Sequence, residues 1–189
     1  MIEGVVLTGG ASRRMGAEKA HLMIGGETVA ERTAGLLARR CTQVTILGRE
    51  PIGQYLFQPD IEEFSGPLIA LSSFSPTVDW VFVAACDMPN FDDNLIPFLG
   101  SLRRGYQAVV PEINGHAQPL CALYASEAWV CLKEVIAEGK RSLMGWLDAL
   151  QCRFVGEEIM LESGINPRAL VGANSPEEWA KLTNQAPEH

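Results

Sequence analysis

The chain is short of the residues from which many sites are built. It has three histidines and five cysteines, an odd number, and no C-x-x-C pair. A zinc cluster or a disulfide framework has no starting point in that set. Cys41, Cys86, Cys121, Cys131 and Cys152 are isolated and read as free thiols, small buried hydrophobes in a reducing compartment. Positive charge is also scarce: Lys and Arg number 15 against 23 Asp and Glu, a formal net charge of −8. That balance argues against general nucleic-acid binding. No apolar run approaches the ~20 residues of a transmembrane helix. The chain opens on a strand-like segment without the charged n-region of a secretory leader. The expectation is a cytoplasmic protein that touches neither membrane nor nucleic acid. No internal repeat, low-complexity block or long linker is visible. With 189 residues, 47% of them hydrophobic, the chain suits one α/β domain over 1–189, frayed from about residue 185.

Against that background one stretch stands out. Ile2-Glu3-Gly4-Val5-Val6 reads as a buried first strand. It runs into Leu7-Thr8-Gly9-Gly10-Ala11-Ser12-Arg13-Arg14-Met15-Gly16-Ala17-Glu18-Lys19. Glycines let a backbone approach a ligand closely, and successive N–H groups in such a turn form a concave anion site. Arg13, Arg14 and Lys19 add charged donors, bidentate from arginine and mobile from lysine. The plainer alternative is an ordinary βα turn with solvated charges. The combination favours a polyphosphate ligand, a nucleotide. The loop is neither a Walker A motif, since no Ser or Thr follows Lys19, nor a G-x-G-x-x-G fingerprint.

Further along, Ala20 to Ile24 reads as a short extended segment closed by Gly25-Gly26. Thr28-Val29-Ala30-Glu31 has capping-box spacing and opens a helix to about Arg40. Gln43 to Leu47 and Tyr55 to Gln58 read as strands, and Pro59 to Pro67 as a loop. Pro67 starts a helix that uses Leu68, Leu71 and Phe74. Asp79 to Ala85 reads as a central parallel strand, being unbroken and apolar. Asp92 is expected to cap a helix to about Arg104. Gln107 to Pro111 and His116 to Tyr124 read as strands about an Asn114-Gly115 turn. Ser126 to Glu138 and Arg141 to Leu150 read as helices, and Cys152 to Val155 as a late strand. Ser175-Pro176-Glu177-Glu178 opens a last helix to about Asn184. Glu157, Glu158 and Glu162 read as a solvated acidic face. Trp80, Trp129, Trp146 and Trp179 read as core or helix-face residues, and His21 and His116 lack partners at metal-ligand spacing. The alternation of strands and helices predicts a three-layer, Rossmann-like α/β fold with a mostly parallel sheet. Ligands of such sheets bind at the carboxyl ends of strands.

Cys86-Asp87-Met88-Pro89 follows the Asp79–Ala85 strand. A carboxylate there is held by rigid backbone at the crevice. Mg²⁺ prefers one or two carboxylates together with substrate phosphate oxygens. A turn-forming Asp before Met-Pro is the plainer alternative. Beside the anion loop, Asp87 is the metal candidate.

These segments resemble a family. Leu7-Thr8-Gly9-Gly10, Ser12-Arg13-Arg14-Met15-Gly16 and Lys19 are similar to the L-x-G-G-x-S-x-R-M-G-x-x-K loop of nucleotidyltransferases, and within them to the molybdenum cofactor guanylyltransferases. Cys86-Asp87-Met88-Pro89 resembles that family's C-D-x-P segment, which implies that Asp87 binds magnesium. Gly66-Pro67-Leu68 is similar to its G-P-L-a-G segment, with Leu71 near where a second glycine is common. Asp60 precedes it, where the family carries a nucleotide-binding aspartate. Gly115, Gln118, Pro119 and Leu120 resemble the segment on the pterin side. Asn174-Ser175-Pro176-Glu177-Glu178 resembles N-T-P-E-E, but Gly172 breaks the usual N-x-N pair. The likeness runs from Ile2 to about Leu182.

The resemblance implies transfer of GMP from GTP to molybdopterin, with Mg²⁺, giving the guanine dinucleotide and pyrophosphate. Arg13, Arg14, Lys19 and Asp87 would stabilise the charge. Leu7, Thr8, Gly9, Gly10, Ser12, Lys19, Asp60, Gly66, Pro67, Leu68, Gln118, Pro119 and Asn174 would bind the substrates. A molybdoenzyme or a cofactor-insertion chaperone would take the product. The Gly-Gly loop resembles purine users, Ala-Gly loops CTP users. Alternatives are a cytidylyl- or sugar-nucleotidyltransferase and, in another class, a non-catalytic nucleotide-binding or cofactor-carrier protein.

Overall fold

The structure is a computed structural model that describes residues 1–9, 19–60, 66–173 and 175–184, with the backbone alone of Lys19 and Asn184. In chain order the elements are β1 (Ile2–Leu7), β2 (Met23–Ile24), β3 (Glu27–Thr28), α1 (Val29–Ala38), β4 (Val44–Gly48) and β5 (Leu56–Pro59). Then come α2 (Pro67–Ser73), β6 (Trp80–Ala85), α3 (Leu95–Leu102), β7 (Ala108–Ile113), β8 (His116–Ala117) and β9 (Cys121–Ala125). The chain continues with α4 (Ala128–Ala137), α5 (Leu143–Leu147), β10 (Cys152–Val155), α6 (Glu157–Glu162) and α7 (Pro176–Asn184). Short 3-10 turns cover Lys19–His21 and Pro167–Leu170.

The main sheet has the order β10-β7-β9-β6-β1-β4-β5, with β8 added to β7. β5, β4, β1 and β6 are parallel neighbours, and β10 pairs parallel with β7. β9 runs antiparallel between β6 and β7. Its reversal follows the Asn114-Gly115 turn, where φ is 51° and 73°, the pair of positive values a tight hairpin demands. β6 is therefore central, as its unbroken apolar run predicts, but parallel on one side only.

Alternate side chains of each inner strand enter opposite faces, and both faces are covered, so β1 and β6 carry almost no polar residue. Val6, Phe82 and Ala84 pack with α1 and α3 on one face. Val5, Leu7, Val81 and Val83 pack with α2, α4 and α5 on the other. This is the expected three-layer α/β fold. The second face holds Tyr124 stacked on Trp146, ring centroids 4.5 Å apart, with Trp129 edge-on to both. Each polar tip finds a carbonyl: Trp129 Nε1 donates to Leu71 O at 2.9 Å, Trp146 Nε1 to Ala128 O at 3.0 Å, and the Tyr124 hydroxyl to Pro119 O at 2.7 Å.

Several local expectations shift. Ala20 and His21 lie in a 3-10 turn rather than an extended segment, because only Met23–Ile24 finds a strand partner, Glu27–Thr28. Asp92 does not cap α3. Its Oδ1 accepts from Asn94 N–H at 2.9 Å, and Asn94 itself takes the N-cap position. The segment from His116 to Tyr124 breaks at Gln118–Leu120 into β8 and β9. The acidic face of Glu157, Glu158 and Glu162 belongs to a helix, α6, whose inner side is buried through Met160. The frayed tail at 185–189 lies outside the described residues. The five cysteines are free. Among the described residues, no helix is long and apolar enough to cross a membrane.

Candidate active site

Chain direction across the sheet reverses at β1. From β1 the path runs outward to β4 and β5, then returns to place β6 on the other side of β1. Such a switch point opens a crevice at the carboxyl ends of the two strands. Leu7 and Ala85 are partners at those ends. The ladder continues briefly beyond them: Thr8 N–H donates to Leu47 O at 2.9 Å and Cys86 N–H to Leu7 O at 3.3 Å. There Gly9 and Asp87 leave the sheet from adjacent strands.

The β1 side of the crevice is crowded by design of its glycines. A methyl group at Gly48 would collide with Thr8 Oγ1 and come 3.3 Å from Gly9 N. A methyl at Gly9 would collide with Asp60 Oδ2. Asp60 follows β5, and its N–H donates to Gly48 O at 2.9 Å. Asp60 thus lies against the first glycine of the loop although fifty-one positions separate them in sequence by number. His21 Nε2 lies against Glu50 Oε1, and with Thr8, Gly9, Arg49 and Ile52 they line a small recess.

On the β6 side, Asp87 is half-buried. Ala173 N–H donates to its backbone carbonyl at 2.9 Å. Gln118–Leu120 reach the same edge, because Leu120 O accepts from Ala85 N–H at 2.8 Å. Gln118 is fastened through its N–H to Pro111 O at 2.8 Å and through Nε2 to His116 O at 3.0 Å, while Pro119 O takes the Tyr124 hydroxyl. Burial, and then the nearby Asp87 charge, raise the Cys121 thiol well above its ordinary value of 9.0. Cys121 is therefore a neutral buried thiol and not a nucleophile.

The structure thus brings Thr8, Gly9, Asp60, Asp87, Gln118 and Pro119 to one edge of the sheet. Leu7 and Leu68 point elsewhere: their side chains are buried in the core and hold β1 and α2 in place. Gly66 and Pro67, both exposed, form the start of α2. Gly10, Ser12, Arg13, Arg14 and Asn174 lie outside the described residues, as does the side chain of Lys19. Among the described residues no group of three or more His, Cys, Asp and Glu gathers. A structural metal cage is thus not formed there. A Mg²⁺ that takes one protein carboxylate and fills its shell with water and phosphate oxygens suits Asp87. Gly48, just past the Gln43–Leu47 strand expected from the sequence, is a further residue of this edge. Its signal was a glycine closing a β-branched strand, a place where another segment approaches closely.

Comparison with known proteins agrees with this architecture. Residues 4–152 match the model of the MobA-like NTP transferase domain. A probable molybdenum cofactor guanylyltransferase from Pelotomaculum thermopropionicum is 31% identical over 184 residues, which cover 94% of this chain and 90% of that protein. One from Bacillus cereus is 29% identical, covering 94% of each. The crystal structure of molybdopterin-guanine dinucleotide biosynthesis protein A from Archaeoglobus fulgidus superposes with a TM-score of 0.81 at 22% identity, over 96% of this chain and 97% of that one. The 2-C-methyl-D-erythritol 4-phosphate cytidylyltransferase of Thermus thermophilus shares the fold at a TM-score of 0.71 and 14% identity, over 95% and 96% of the two chains.

Proposed function

This chain belongs to the MobA-like NTP transferase family, and from that premise we propose that it moves GMP from GTP to molybdopterin, releasing pyrophosphate. The observation that carries the reading is the placement of Gly9 and Asp87 just beyond the paired ends of the parallel strands β1 and β6 at the switch point, with Asp60 against Gly9. A nucleotide laid across this edge has its phosphates between the loop and Asp87 and its base toward Asp60. An ionised carboxylate only accepts hydrogen bonds. Asp60 therefore suits the N–H edge of guanine.

The terminal phosphate of molybdopterin attacks the α-phosphorus of GTP in line. The new P–O bond forms as the bond to pyrophosphate breaks. The attacking phosphate is already ionised at neutral pH, so no general base is required. Arg13, Arg14 and Lys19 hold the negative charge that builds on the α-phosphate and the leaving group. Backbone N–H groups of Gly9, Gly10 and Ser12 cradle the triphosphate. Asp87 would hold Mg²⁺, which when bound supplies neutralising charge to the phosphates. Gly66-Pro67 and Asn174 border the substrates, and Gln118-Pro119 receive the pterin. The product passes to a molybdoenzyme or an insertion chaperone in the cytoplasm.

The test is label transfer. Incubated with α-³²P-GTP, Mg²⁺ and molybdopterin, the chain is expected to move label onto the pterin with one pyrophosphate released per label. Label that stays on GTP, or that appears as free GMP without a pterin adduct, contradicts the reading.

A further inference from the structure

The matched family region ends at residue 152, yet a later segment reaches the aspartate loop. Ala173 N–H donates to Asp87 O at 2.9 Å. Beside it, a methyl group at position 172 would lie 3.1 Å from Asp87 Cγ and 3.2 Å from each carboxylate oxygen. Near-equal distances to all three atoms mean that Gly172 faces the flat side of the carboxylate. These separations are tighter than ordinary van der Waals contact, so an added carbon would displace the group by some tenths of an ångström.

The strap that carries Gly172 cannot easily retreat. Before it, the Pro167–Leu170 turn is capped by Asn166, whose Oδ1 accepts from Arg168 N–H at 3.1 Å. Ala169 and Leu170 are buried in the core, and Ala173 is fully buried after it. Beyond, Trp179 of α7 packs on the core, and Asn90 Nδ2, three residues past Asp87, donates to Leu182 O at 3.0 Å. The strap is held at both ends and the aspartate loop is held to it.

We propose that Gly172 is a positioning residue for Asp87: its bare backbone seats the carboxylate face-on and so sets the orientation in which Asp87 meets the cation. This rests on the reading of Asp87 as the metal carboxylate. A side chain at 172, including the asparagine that the family motif carries there, would demand a different carboxylate rotamer in this chain. The strap, not the β6 loop alone, then determines how tightly the metal–nucleotide complex is held.

Mn²⁺ with GTP, in the absence of molybdopterin, allows a test that does not depend on turnover. Binding to wild type, Gly172→Ala and Asp87→Asn is followed by electron paramagnetic resonance, with thermal unfolding as the check on folding. Gly172→Ala is expected to weaken Mn²⁺–GTP binding about tenfold, the lower end of what loss of a supporting partner costs a metal site, and to alter the bound Mn²⁺ spectrum at an unchanged unfolding midpoint. Wild-type affinity and spectrum in Gly172→Ala, with binding lost in Asp87→Asn, overturns the positioning role and leaves the metal assignment standing. Undiminished binding in Asp87→Asn overturns the metal assignment and this inference with it. Should Gly172→Ala not fold, Val171→Gly carries the test, because it loosens the strap without adding an atom at an exposed position. Weaker Mn²⁺–GTP binding in that variant supports the proposal, and wild-type binding overturns it.

Discussion

At the scale of single residues, Asp87 acts through its charge and Gly9 through its lack of a side chain. Asp87→Asn keeps the shape and removes the charge. Turnover is expected to fall about a hundredfold or more, the scale of losing one strong electrostatic stabiliser, with the fold intact by circular dichroism. Near-normal Mg²⁺-dependent turnover in the variant would exclude the assignment. Gly9→Ala is a more complicated change than the sequence suggests. The loop resemblance predicts that a methyl there crowds a purine. The structure shows that the methyl meets Asp60 first. The two sites should therefore couple: kcat/KM for GTP in Gly9→Ala/Asp60→Ala is expected to fall less than the sum of the single losses. Strict additivity in that double-mutant cycle would mean the two do not share one contact. Asp60 was legible as a candidate through its place before Gly-Pro-Leu. Its contact with Gly9 was not, because nothing local in a sequence reports which strand ends are neighbours.

At the scale of elements, local chemistry wrote the boundaries that it controls. The Thr28 capping box forms as its spacing predicts: Thr28 N–H donates to Glu31 Oε2 at 2.9 Å, and Glu31 N–H to Thr28 Oγ1 at 3.2 Å. Two bonds to its carboxylate, from the Thr28 backbone N–H first and from the Thr28 hydroxyl at 2.7 Å second, hold the Glu31 carboxyl below its ordinary 4.5. A lowered folded value means that the support for α1 is complete above pH 4.5 and is lost as pH falls through the folded value. Amide protection factors over the first turn of α1 are expected to drop across that acid range in wild type. In Glu31→Gln they should be lower at neutral pH and flat in acid; a wild-type profile in the variant would refute the coupling. Thr28→Ala should cost about 1 kcal/mol, as lost caps do. Where tertiary pairing decides, the sequence was less informative. β8 and β9 read as one strand only when Pro119 is passed over, since a residue without an N–H cannot join a ladder there. The break comes from partners: β8 finds only β7, whereas β9 inserts between β6 and β7. Asp92 has a capping residue's chemistry, but Asp93 is drawn to Arg40 Nε at 2.6 Å and α3 starts later.

At the scale of the whole molecule, the apolar runs and the βα alternation made the three layers readable, since burial on two faces leaves a plain mark on β1, β4 and β6. The approach of the C-terminal strap to Asp87 left no such mark; Gly172 reads only as a departure from a motif. That strap joins the last helix to the central strands, and β10 lies in the same sheet as β1. We therefore expect the chain to unfold as one unit, with a single calorimetric transition whose van't Hoff and calorimetric enthalpies agree. Two resolved transitions would divide the chain and count against a single domain over 1–189. The central claim, guanylyl transfer to a pterin phosphate, is tested most directly by pyrophosphate release from GTP, CTP, ATP and UTP, each with molybdopterin and Mg²⁺. The account predicts release that depends on molybdopterin and on Mg²⁺, with the highest kcat/KM for GTP. Release that is greatest with CTP, or that requires no molybdopterin, would contradict it.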